Sequence, residues 1–276
     1  MNLVIQGLDI ETRALKELAK LTGAQGIQRI TGGAFRLLEA QQLAEVATYC
    51  ESRQLDHAYV PEGRRLRDYG LFVTDMDSTL IGIECIDEIA DMQGLKAEVA
   101  AITEAAMRGE IAFGESLTRR VSLLKGLDEG ALARVYEERL TLNPGAEQLM
   151  RGLRQAGLRT VLVSGGFTYF TDRLRERLGF DHAVANRLEI ENGRLTGRIV
   201  GDIVDAAAKR RVLESVRDGI GLLNTQTIAA GDGANDLEML EAAAIGVAYH
   251  AKPVVRVRAS YAISHAGLDA ILNLFG

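Results

Sequence analysis

The feature that most constrains this chain is residues 71–80, LFVTDMDSTL, where an apolar run ends abruptly in carboxyl and hydroxyl side chains. Such a run is typical of a buried strand in a parallel sheet, and ligands of open α/β sheets bind just beyond the carboxyl ends of the strands. Asp75 and Asp77 would lie at that edge, on the same side of an extended chain. Because like charges repel, the pair favours a bound cation or a proton, and oxygen ligands without a His or Cys pair favour Mg²⁺ over zinc. An Asp-rich turn or helix cap is the alternative interpretation.

The composition is that of an ordinary globular protein. The 276 residues, 47% hydrophobic and 25% charged, permit one large domain or two smaller ones. A net charge of −6 and a pI near 5.4 argue against a nucleic-acid or anionic-membrane partner. Cys50 and Cys85 are too few for a disulfide framework, and the N-terminal sequence MNLVIQGLDIETR lacks the features of a signal peptide. With no apolar run of membrane-spanning length, we expect a cytoplasmic protein.

Residues 1–65 show the pattern strand, helix, strand, strand, helix, strand. Gly32 and Gly33 lie between two alternating segments, which is a hairpin signal. This βαββαβ order is the ferredoxin-like plan, and in element order alone it resembles the small ACT-type modules attached to enzymes of amino-acid metabolism. The pattern leaves dimerisation, packing and regulation by serine open as roles. Residues 61–68, PEGRRLRD, are polar and predict a linker to a second domain at 66–276.

Residues 66–276 alternate between strand and helix patterns, which predicts a doubly wound, Rossmann-like parallel sheet. The alternation is interrupted at about 83–140 by four helical segments, long enough to form a cap over the strand edge. Right-handed crossovers would bring the ends of the strands VLVSGG and IAAGDG to the same edge as DMDST. Later we predict a strand HAVAN, a separate hairpin turning at Asn192 and Gly193, and a helix at the C-terminal end.

Two further segments carry groups suited to an anion. Residues 164–166, Ser-Gly-Gly, follow an apolar strand and precede a helix, so a hydroxyl and free backbone N–H groups could bind a phosphate. The glycines could equally make only a tight turn. Lys209 lies on an Ala-rich helix and could neutralise a phosphoryl group, although a solvated charge is the usual role of a single Lys.

The segment GDGAND, residues 231–236, adds more carboxylates to the predicted edge. Asp232 directly follows a buried strand and could complete a metal site with Asp75. Asn235 and Asp236 open the next helix, where they are either N-caps or supports that orient the metal ligands.

In their order and context, DMDST, SGG, Lys209 and GDGAND resemble the haloacid dehalogenase superfamily of aspartate-nucleophile phosphatases. More narrowly, DMDSTLIGIECIDEIA, FGESLTRRVSLLKG, VSGGF, ANRLEIENGRLTG and GDGANDLEML resemble its members that hydrolyse O-phospho-L-serine. The resemblance covers about residues 66–276 and not the N-terminal segment. It implies a haloacid dehalogenase core with a helical cap, and Mg²⁺-dependent release of L-serine in the last step of serine biosynthesis. It implies a small-molecule substrate, with no nucleic-acid or membrane partner, and leaves a homodimer open.

The resemblance also implies roles for the residues at the sheet edge. Asp75 would be the nucleophile that forms an aspartyl-phosphate, and Asp77 the general acid and base. Mg²⁺ would be held by the carboxylates of Asp75 and Asp232 and by the backbone carbonyl of Asp77. The phosphoryl oxygens would be bound by Ser164, the Gly165 N–H and Lys209.

Substrate selection is implied to lie in the cap. Glu84 and Arg120 would bind the ammonium and carboxylate groups of the serine moiety, while Met107 and Phe113 would exclude water. Without the resemblance, Glu84 would be a charge at a helix start, Arg120 a surface residue, and the other two core residues. On the core side, the remaining candidates are Asn235 at the substrate and Asp236 as a support.

Two other functions remain open from the sequence. One is a related enzyme that transfers the phosphoryl group to homoserine or acts on another small phosphomonoester. The other is a phosphate-accepting receiver or an inactive serine-binding regulator, since receivers also use clustered aspartates and a Lys. Asp77, as a second carboxylate for proton transfer, and the predicted cap both argue against the receiver.

Overall fold

A computed structural model describes residues 1–108 and 110–276, with the side chain of Met107 also outside the described part. The N-terminal residues form a four-stranded antiparallel sheet with two helices. Its elements are β1 (Asn2–Gln6), α1 (Thr12–Thr22), β2 (Gly26–Thr31), β3 (Ala34–Leu38), α2 (Glu45–Glu51) and β4 (Asp56–Val60). The strand order β2-β3-β1-β4 confirms the predicted ferredoxin-like plan. Helix α1 forms here because Ala14, Leu15, Leu18 and Thr22 recur at helical spacing and are buried on one side.

The second sheet has seven strands and confirms the doubly wound prediction. Its strands are β5 (Leu71–Thr74), β6 (Arg159–Phe167), β7 (His182–Glu191), β8 (Arg194–Val200), β9 (Thr227–Gly231), β10 (Ile245–Tyr249) and β11 (Tyr261–Ile263). Their order is β11-β10-β9-β5-β6-β7-β8, and only the β7–β8 pair is antiparallel. The apolar β5 is buried along its whole length: β6 and β9 pair with its two edges, and the faces of such a sheet are covered by helices.

The cap follows β5 and contains the four predicted helices. They are α3 (Cys85–Asp91), α4 (Lys96–Met107), α5 (Phe113–Leu123) and α6 (Gly130–Arg134), which continues as a π-helical turn over Val135–Arg139. The chain enters and leaves the cap through two adjoining segments, which are joined by a bridge between Ile81 and Leu142. Arg139 holds the π-helical turn to α3, since its Nη1 lies 2.6 Å from carboxylate oxygens of both Glu88 and Asp91.

The remaining helices cover the large sheet. They are α7 (Ala146–Gln155), α8 (Thr168–Leu178), α9 (Ala206–Gly219), α10 (Leu237–Ala242) and α11 (Pro253–Arg256). Short 3₁₀ turns occur at Leu66–Asp68, Asn224–Gln226 and Ala234–Asp236. No helix in the described ranges combines the length and the apolar character that crossing a membrane requires.

One local prediction was wrong. The strand HAVAN and the following hairpin arm are one strand, β7, because its first half pairs with β6 and its second half with β8. The hairpin does turn at Asn192 and Gly193, which have φ of 52° and 74°. The predicted C-terminal helix is present as a 3₁₀-helix over Leu268–Leu274, whose buried Leu268, Ile271 and Leu274 recur every third residue, the period of that helix.

The N-terminal sheet packs against the C-terminal end of the chain. The buried carboxylate of Asp56 accepts hydrogen bonds from the backbone N–H groups of Ser264, His265 and Ala266 at 2.7, 3.0 and 2.9 Å. Asn273 donates to the side-chain oxygen of Gln6 at 3.0 Å in the same interface. This contact region comprises the segment after β11 and the final 3₁₀-helix, and β11 is an edge strand that β10 and β9 separate from β5.

Candidate active site

The central strand β5 ends at Thr74 and delivers Asp75 to the carboxyl edge of the large sheet. The backbone N–H of Asp75 donates to the Ala230 carbonyl of β9 at 3.0 Å, which holds the start of the loop in sheet-like alignment. Because β6 and β9 end at the same edge, Ser164 and Asp232 lie beside Asp75, as the sheet prediction requires.

Asp75 and Lys209 form the centre of a buried ion-pair cluster. Lys209 Nζ lies 2.8 Å from Asp75 Oδ1 and 2.7 Å from Asp236 Oδ1, and all three side chains are buried. Asp75 Oδ1 also accepts from the Met76 N–H at 2.7 Å. Burial alone would lower the pKa of Lys209, but the carboxylates of Asp236 and Asp75 raise it above its usual value. The two carboxylates therefore favour the charged form of Lys209, which contacts the predicted nucleophile.

Asp232 completes a group of three carboxylates with Asp75 and Asp236. One oxygen of each lies within 4.8 Å of the others. Burial, and then repulsion from Asp236, raise the pKa of Asp232 to about 7. Burial and the same repulsion raise the pKa of Asp75 well above its usual value, although Lys209 opposes the shift. One lysine thus does not balance three carboxylates, and an all-oxygen set with excess negative charge suits a hard divalent cation.

Asp236 is hydrogen-bonded through both oxygens of its carboxylate. Its Oδ1 accepts from Lys209, while its Oδ2 accepts from the N–H groups of Asp232 and Gly233 at 3.1 and 3.0 Å. Since both oxygens are engaged, Asp236 orients Lys209 and the Asp232 loop. Asn235, in the same 3₁₀ turn, is half-buried.

The turn after Asp77 is held by a residue that the sequence interpretation missed. Ser78 has φ of 57°, a left-handed conformation that costs a non-Gly residue energy. Asn143, on the segment leaving the cap, donates its side-chain amide to the Thr79 carbonyl at 2.8 Å and to that of Ile81 at 3.2 Å. Thr79 in turn donates its hydroxyl to Asp232 Oδ1 at 2.8 Å. No spacing rule links Asn143 to a motif more than sixty residues earlier, so only the fold reveals it.

Asp77, the second carboxyl group of the loop, has a shifted pKa. Burial, and then the negative charge of Glu84, raise the pKa of Asp77 to about 7, while a hydrogen bond from the Cys85 N–H at 3.1 Å opposes the shift. A carboxyl group with this pKa exchanges protons readily near neutral pH. A Cβ added to Gly166 would lie 2.5 Å from Asp77 Oδ2, so glycine leaves the space that this carboxylate occupies. Cys85 is buried and its pKa is raised well above the usual value by burial, so it remains a neutral thiol.

The Ser-Gly-Gly segment lies opposite Asp77 and beneath the cap. Ser164 is fully buried, and its hydroxyl oxygen accepts from the Gly166 N–H at 2.8 Å. Phe113, the first residue of α5, contacts this segment: a Cβ added to Gly165 would lie 3.0 Å from Phe113 Cζ. The cap therefore reaches the core at the predicted phosphate-binding loop. The predicted role of the Met107 side chain falls outside the described part of the structure.

On the cap side, Glu84 and Arg120 lie in the same electrostatic environment as Asp77. Glu84 accepts from the Ser78 hydroxyl at 2.6 Å, and although it is open to the cleft, the surrounding protein raises its pKa by desolvation. Burial lowers the pKa of Arg120, against the opposing charges of Asp87, Glu84 and Asp77. Arg120 Nε has a long hydrogen bond of 3.4 Å to the Ser116 carbonyl of its own helix.

Comparison with known proteins agrees with this geometry. The family model of haloacid dehalogenase-like hydrolases matches residues 72–241, and that of a domain of unknown function, DUF4072, matches residues 3–46. A phosphoserine phosphatase of Polaromonas sp. is 55% identical over 215 residues, which are 76% of this chain and 91% of the relative. The unliganded crystal structure of a probable phosphoserine phosphatase from Vibrio cholerae aligns with a TM-score of 0.88 at 38% identity, over 99% of this chain and 86% of that one.

A third comparison bears on the chemistry. A solved structure described as a phospho-aspartyl intermediate analogue of phosphoserine phosphatase is 38% identical, with a TM-score of 0.71, over 75% of this chain and 99% of that chain. The chain belongs to the haloacid dehalogenase-like hydrolases. Within that family it groups with the phosphoserine phosphatases, and the prediction of an enzyme that hydrolyses a phosphate ester is confirmed.

Proposed function

We propose that this enzyme hydrolyses O-phospho-L-serine to L-serine and phosphate through an aspartyl-phosphate on Asp75, with Mg²⁺ as its cation. The observation that carries the proposal is the contrast between two carboxylates in one short loop. Asp75 contacts Lys209 at 2.8 Å, whereas Asp77 is held 3.1 Å from the Cys85 N–H with a pKa of about 7. One group is thus arranged to attack an anionic centre, and the other to exchange a proton.

The donor set supports a divalent metal. Asp75 and Asp232 are the carboxylates that would hold it, together with the backbone carbonyl of Asp77, because Asp236 already has both oxygens engaged. Oxygen-only ligation with surplus negative charge favours Mg²⁺ over a softer metal. A metal bound there supplies positive charge that shields the nucleophile from the phosphate and stabilises negative charge during transfer.

In the first step a carboxylate oxygen of Asp75 forms a bond to phosphorus, and the bond from phosphorus to the serine oxygen breaks. Asp77, in its protonated form, gives its proton to the departing oxygen, so serine leaves as a neutral alcohol. Ser164, the Gly165 N–H and Lys209 bind the phosphoryl oxygens and stabilise the charge that spreads over them.

In the second step Asp77, now ionised, accepts a proton from water as that water attacks phosphorus. The bond between phosphorus and the Asp75 oxygen breaks, phosphate is released and the Asp75 carboxylate is restored. Proton transfer in both directions at one carboxyl is most efficient when its pKa is close to the working pH, and the pKa of Asp77 is about 7.

Selectivity for serine is assigned to the cap. The guanidinium of Arg120 would pair with the substrate carboxylate, and Glu84 would pair with the ammonium group. Phe113, packed over Gly165, and Met107 would exclude water, and Asn235 would contact the substrate from the core. A phosphorylated amino acid presents all three charges that this set would bind.

The assignment divides the chain by role. Residues 66–276, with the cap at about 83–140, would carry the reaction, and residues 1–65 would form a separate domain for packing, dimerisation or regulation. The enzyme would act in the cytoplasm in the last step of L-serine biosynthesis, on a small-molecule substrate and without nucleic acid.

The test measures phosphate release from O-phospho-L-serine, O-phospho-L-threonine and a sugar phosphate, with Mg²⁺ and with EDTA. We expect Mg²⁺-dependent turnover that is selective for phosphoserine, and Asp75→Asn should lower kcat by at least about 10³-fold because the nucleophile is lost. Asp9→Asn, at an exposed position in the loop between β1 and α1, is the matched control. Equal turnover of all three substrates would refute the cap assignment, and phosphorylation of added homoserine would instead indicate a phosphotransferase.

A further inference from the structure

A buried asparagine behind the Ser-Gly-Gly segment takes part in no step described so far. Asn186 lies on β7 opposite Phe167 of β6, where the register between the two strands shifts after Val163. Its side chain is 1% exposed. Residues 164–166 of β6 thus face a single residue of β7, and a bulge of this kind locally disrupts the ladder between the strands.

Both ends of that amide are used. Asn186 Nδ2 donates to the Gly165 carbonyl at 2.8 Å, and Asn186 Oδ1 accepts from the Val204 N–H at 2.8 Å. The neighbours determine the orientation of the amide, because one is a backbone acceptor and the other a backbone donor. Asn186 therefore ties the Ser-Gly-Gly segment to the chain segment that precedes α9.

The first of these bonds determines how the Ser164 hydroxyl can act. The Gly165 carbonyl and the Gly166 N–H belong to one planar peptide group, so a bond to the carbonyl also fixes the direction of the N–H. That N–H donates to Ser164 Oγ at 2.8 Å. Because Oγ accepts there, its own hydrogen remains free to be donated to a phosphoryl oxygen.

The second bond connects Asn186 to the segment before the helix that carries Lys209. Val204 precedes Asp205, the N-cap of α9, whose side chain accepts from the Ala208 N–H at 2.8 Å. The Lys209 N–H donates to the Asp205 carbonyl at 3.0 Å, which places Lys209 in the first turn of that helix. Asn186 thus spans the two elements that carry the predicted phosphate-binding groups, and its amide sets the distance between them.

We propose that Asn186 is a positioning residue for phosphoryl transfer, which aligns the Ser164 hydroxyl and the Lys209 helix on the phosphoryl group without contacting the substrate. The inference rests on the proposed function, since it takes phosphoserine as substrate. It leads to a specific expectation: loss of the amide weakens interactions with the phosphoryl group and leaves binding of the serine moiety unchanged.

The experiment compares Asn186→Asp and Asn186→Ala with the parent in the full-length, Mg²⁺-loaded protein. Aspartate keeps the size and the acceptor for Val204 but cannot donate to Gly165 when ionised. We expect kcat for O-phospho-L-serine to fall by about 10- to 100-fold, the usual effect of misplacing a catalytic group through its support. Competitive inhibition by inorganic phosphate should weaken by about tenfold, while inhibition by L-serine changes by less than about twofold.

Asn273→Ala is the matched control. It also removes a buried side-chain amide bond, 3.0 Å to Gln6, but in the contact between the N-terminal sheet and the C-terminal end of the chain. A comparable loss of Tm with kcat unchanged in this variant would separate general destabilisation from positioning.

A second readout does not depend on turnover. Inorganic phosphate with Mg²⁺ should raise the Tm of the parent and of Asn273→Ala, and should raise it less in both Asn186 variants. If the parent releases no phosphate from phosphoserine, this measurement still tests Asn186, so failure of the proposed function is distinguishable. Parent-like kcat and phosphate affinity in Asn186→Asp would overturn the proposal. So would equal weakening of serine and phosphate inhibition, or failure of both Asn186 variants to fold while Asn273→Ala folds.

Discussion

The two sides of the active site are built differently. The phosphate floor, which we define as Asp75, Lys209, Asp232 and Asp236, is closed by short bonds: Lys209 lies 2.8 and 2.7 Å from two carboxylates, and Asp236 accepts two further N–H groups. The cap side, which we define as Glu84, Asp87, Phe113 and Arg120, is more open. Its arginine has only a 3.4 Å hydrogen bond to its own helix, among the contacts of the described residues.

One carboxylate oxygen of Asp87 illustrates the more open packing of the cap side. Its Oδ1 is buried and has no hydrogen-bond partner within the described ranges, and burial raises the pKa of this carboxyl group while Arg120 lowers it. An unpaired buried oxygen costs free energy, which a ligand that reorganises the cap can recover. The difference suggests that the groups we assign to phosphoryl chemistry are assembled in advance, whereas those we assign to amino-acid recognition are completed by the substrate. Each of the following predictions tests that contrast.

The largest effect should come from removing the lysine of the floor. Lys209→Met keeps the length of the side chain but leaves the carboxylates of Asp75 and Asp236 buried without their cation. We expect the free energy of unfolding to fall by about 3–5 kcal/mol and kcat by about 10²- to 10³-fold. Denaturant unfolding and phosphate release measure the two effects. The exposed Lys16→Met is the control, and parent-like stability of Lys209→Met would mean that the floor is not preassembled.

The next largest effect should be on the pH dependence of the stability of the metal-free protein. In the folded state the pKa values of Asp77 and Asp232 are about 7, while in the unfolded chain both carboxyls have a pKa near 3.8. Between those values the folded state retains protons that the unfolded state has lost, so this contribution to stability is present in mild acid and is lost as pH rises to about 7. We expect Mg²⁺ to raise Tm more at pH 8 than at pH 5, by about 5 °C more.

Asp232→Asn separates this effect from the other titrating groups. The variant lacks one of the two carboxyls with a pKa of about 7, so the Tm of its EDTA-treated form should fall less between pH 5 and pH 8 than that of the parent. A parent-like fall in the variant would show that Asp232 does not contribute to the surplus charge of the floor.

A substitution on the cap side should change substrate selectivity more than it changes stability. Arg120→Ala should lower kcat/KM for O-phospho-L-serine by about 10- to 100-fold, the range expected when one charged hydrogen bond is lost. Activity on O-phosphoethanolamine, which has no carboxylate, should change by less than about threefold. The neighbouring Arg119, which pairs with Glu115 on the exposed side of α5, provides the control Arg119→Ala. Equal losses on both substrates would contradict the assignment of Arg120 to the carboxylate.

The smallest effect should come from Asp87. Asp87→Asn removes a negative charge that attracts the guanidinium of Arg120, so this guanidinium is positioned less firmly. The KM for phosphoserine should therefore rise by about two- to fivefold with kcat unchanged. Steady-state kinetics measure this, with the exposed Asp172→Asn as control. If kcat fell instead, Asp87 would belong with the groups that act on the phosphoryl centre.

Much of the large sheet could be predicted from local patterns. Each of its signals is visible within one segment of the sequence: the apolar run ending at Asp75 and the strand–helix alternation after Pro144. The same is true of the helical spacing in the four cap helices. Local patterns did not predict the features that depend on neighbouring elements in the folded structure. The continuity of β7 depends on having β6 beside one half and β8 beside the other, and the final 3₁₀-helix depends on the core that receives every third residue.

The sequence by itself determined which groups meet at one edge of the sheet, because parallel strands joined by right-handed crossovers must end together. Only the tertiary structure decided the charge balance of those groups and the orientation of their side chains. The surplus of negative charge arises because Asp75, Asp232 and Asp236 share one lysine in a buried space. Asn143 and Asn186, far from the motifs in the chain, hold the loops through hydrogen bonds to backbone atoms, which leave no pattern in the sequence. Burial and hydrogen-bond geometry are properties of neighbours in space, and neighbours in space exist only once the chain has folded.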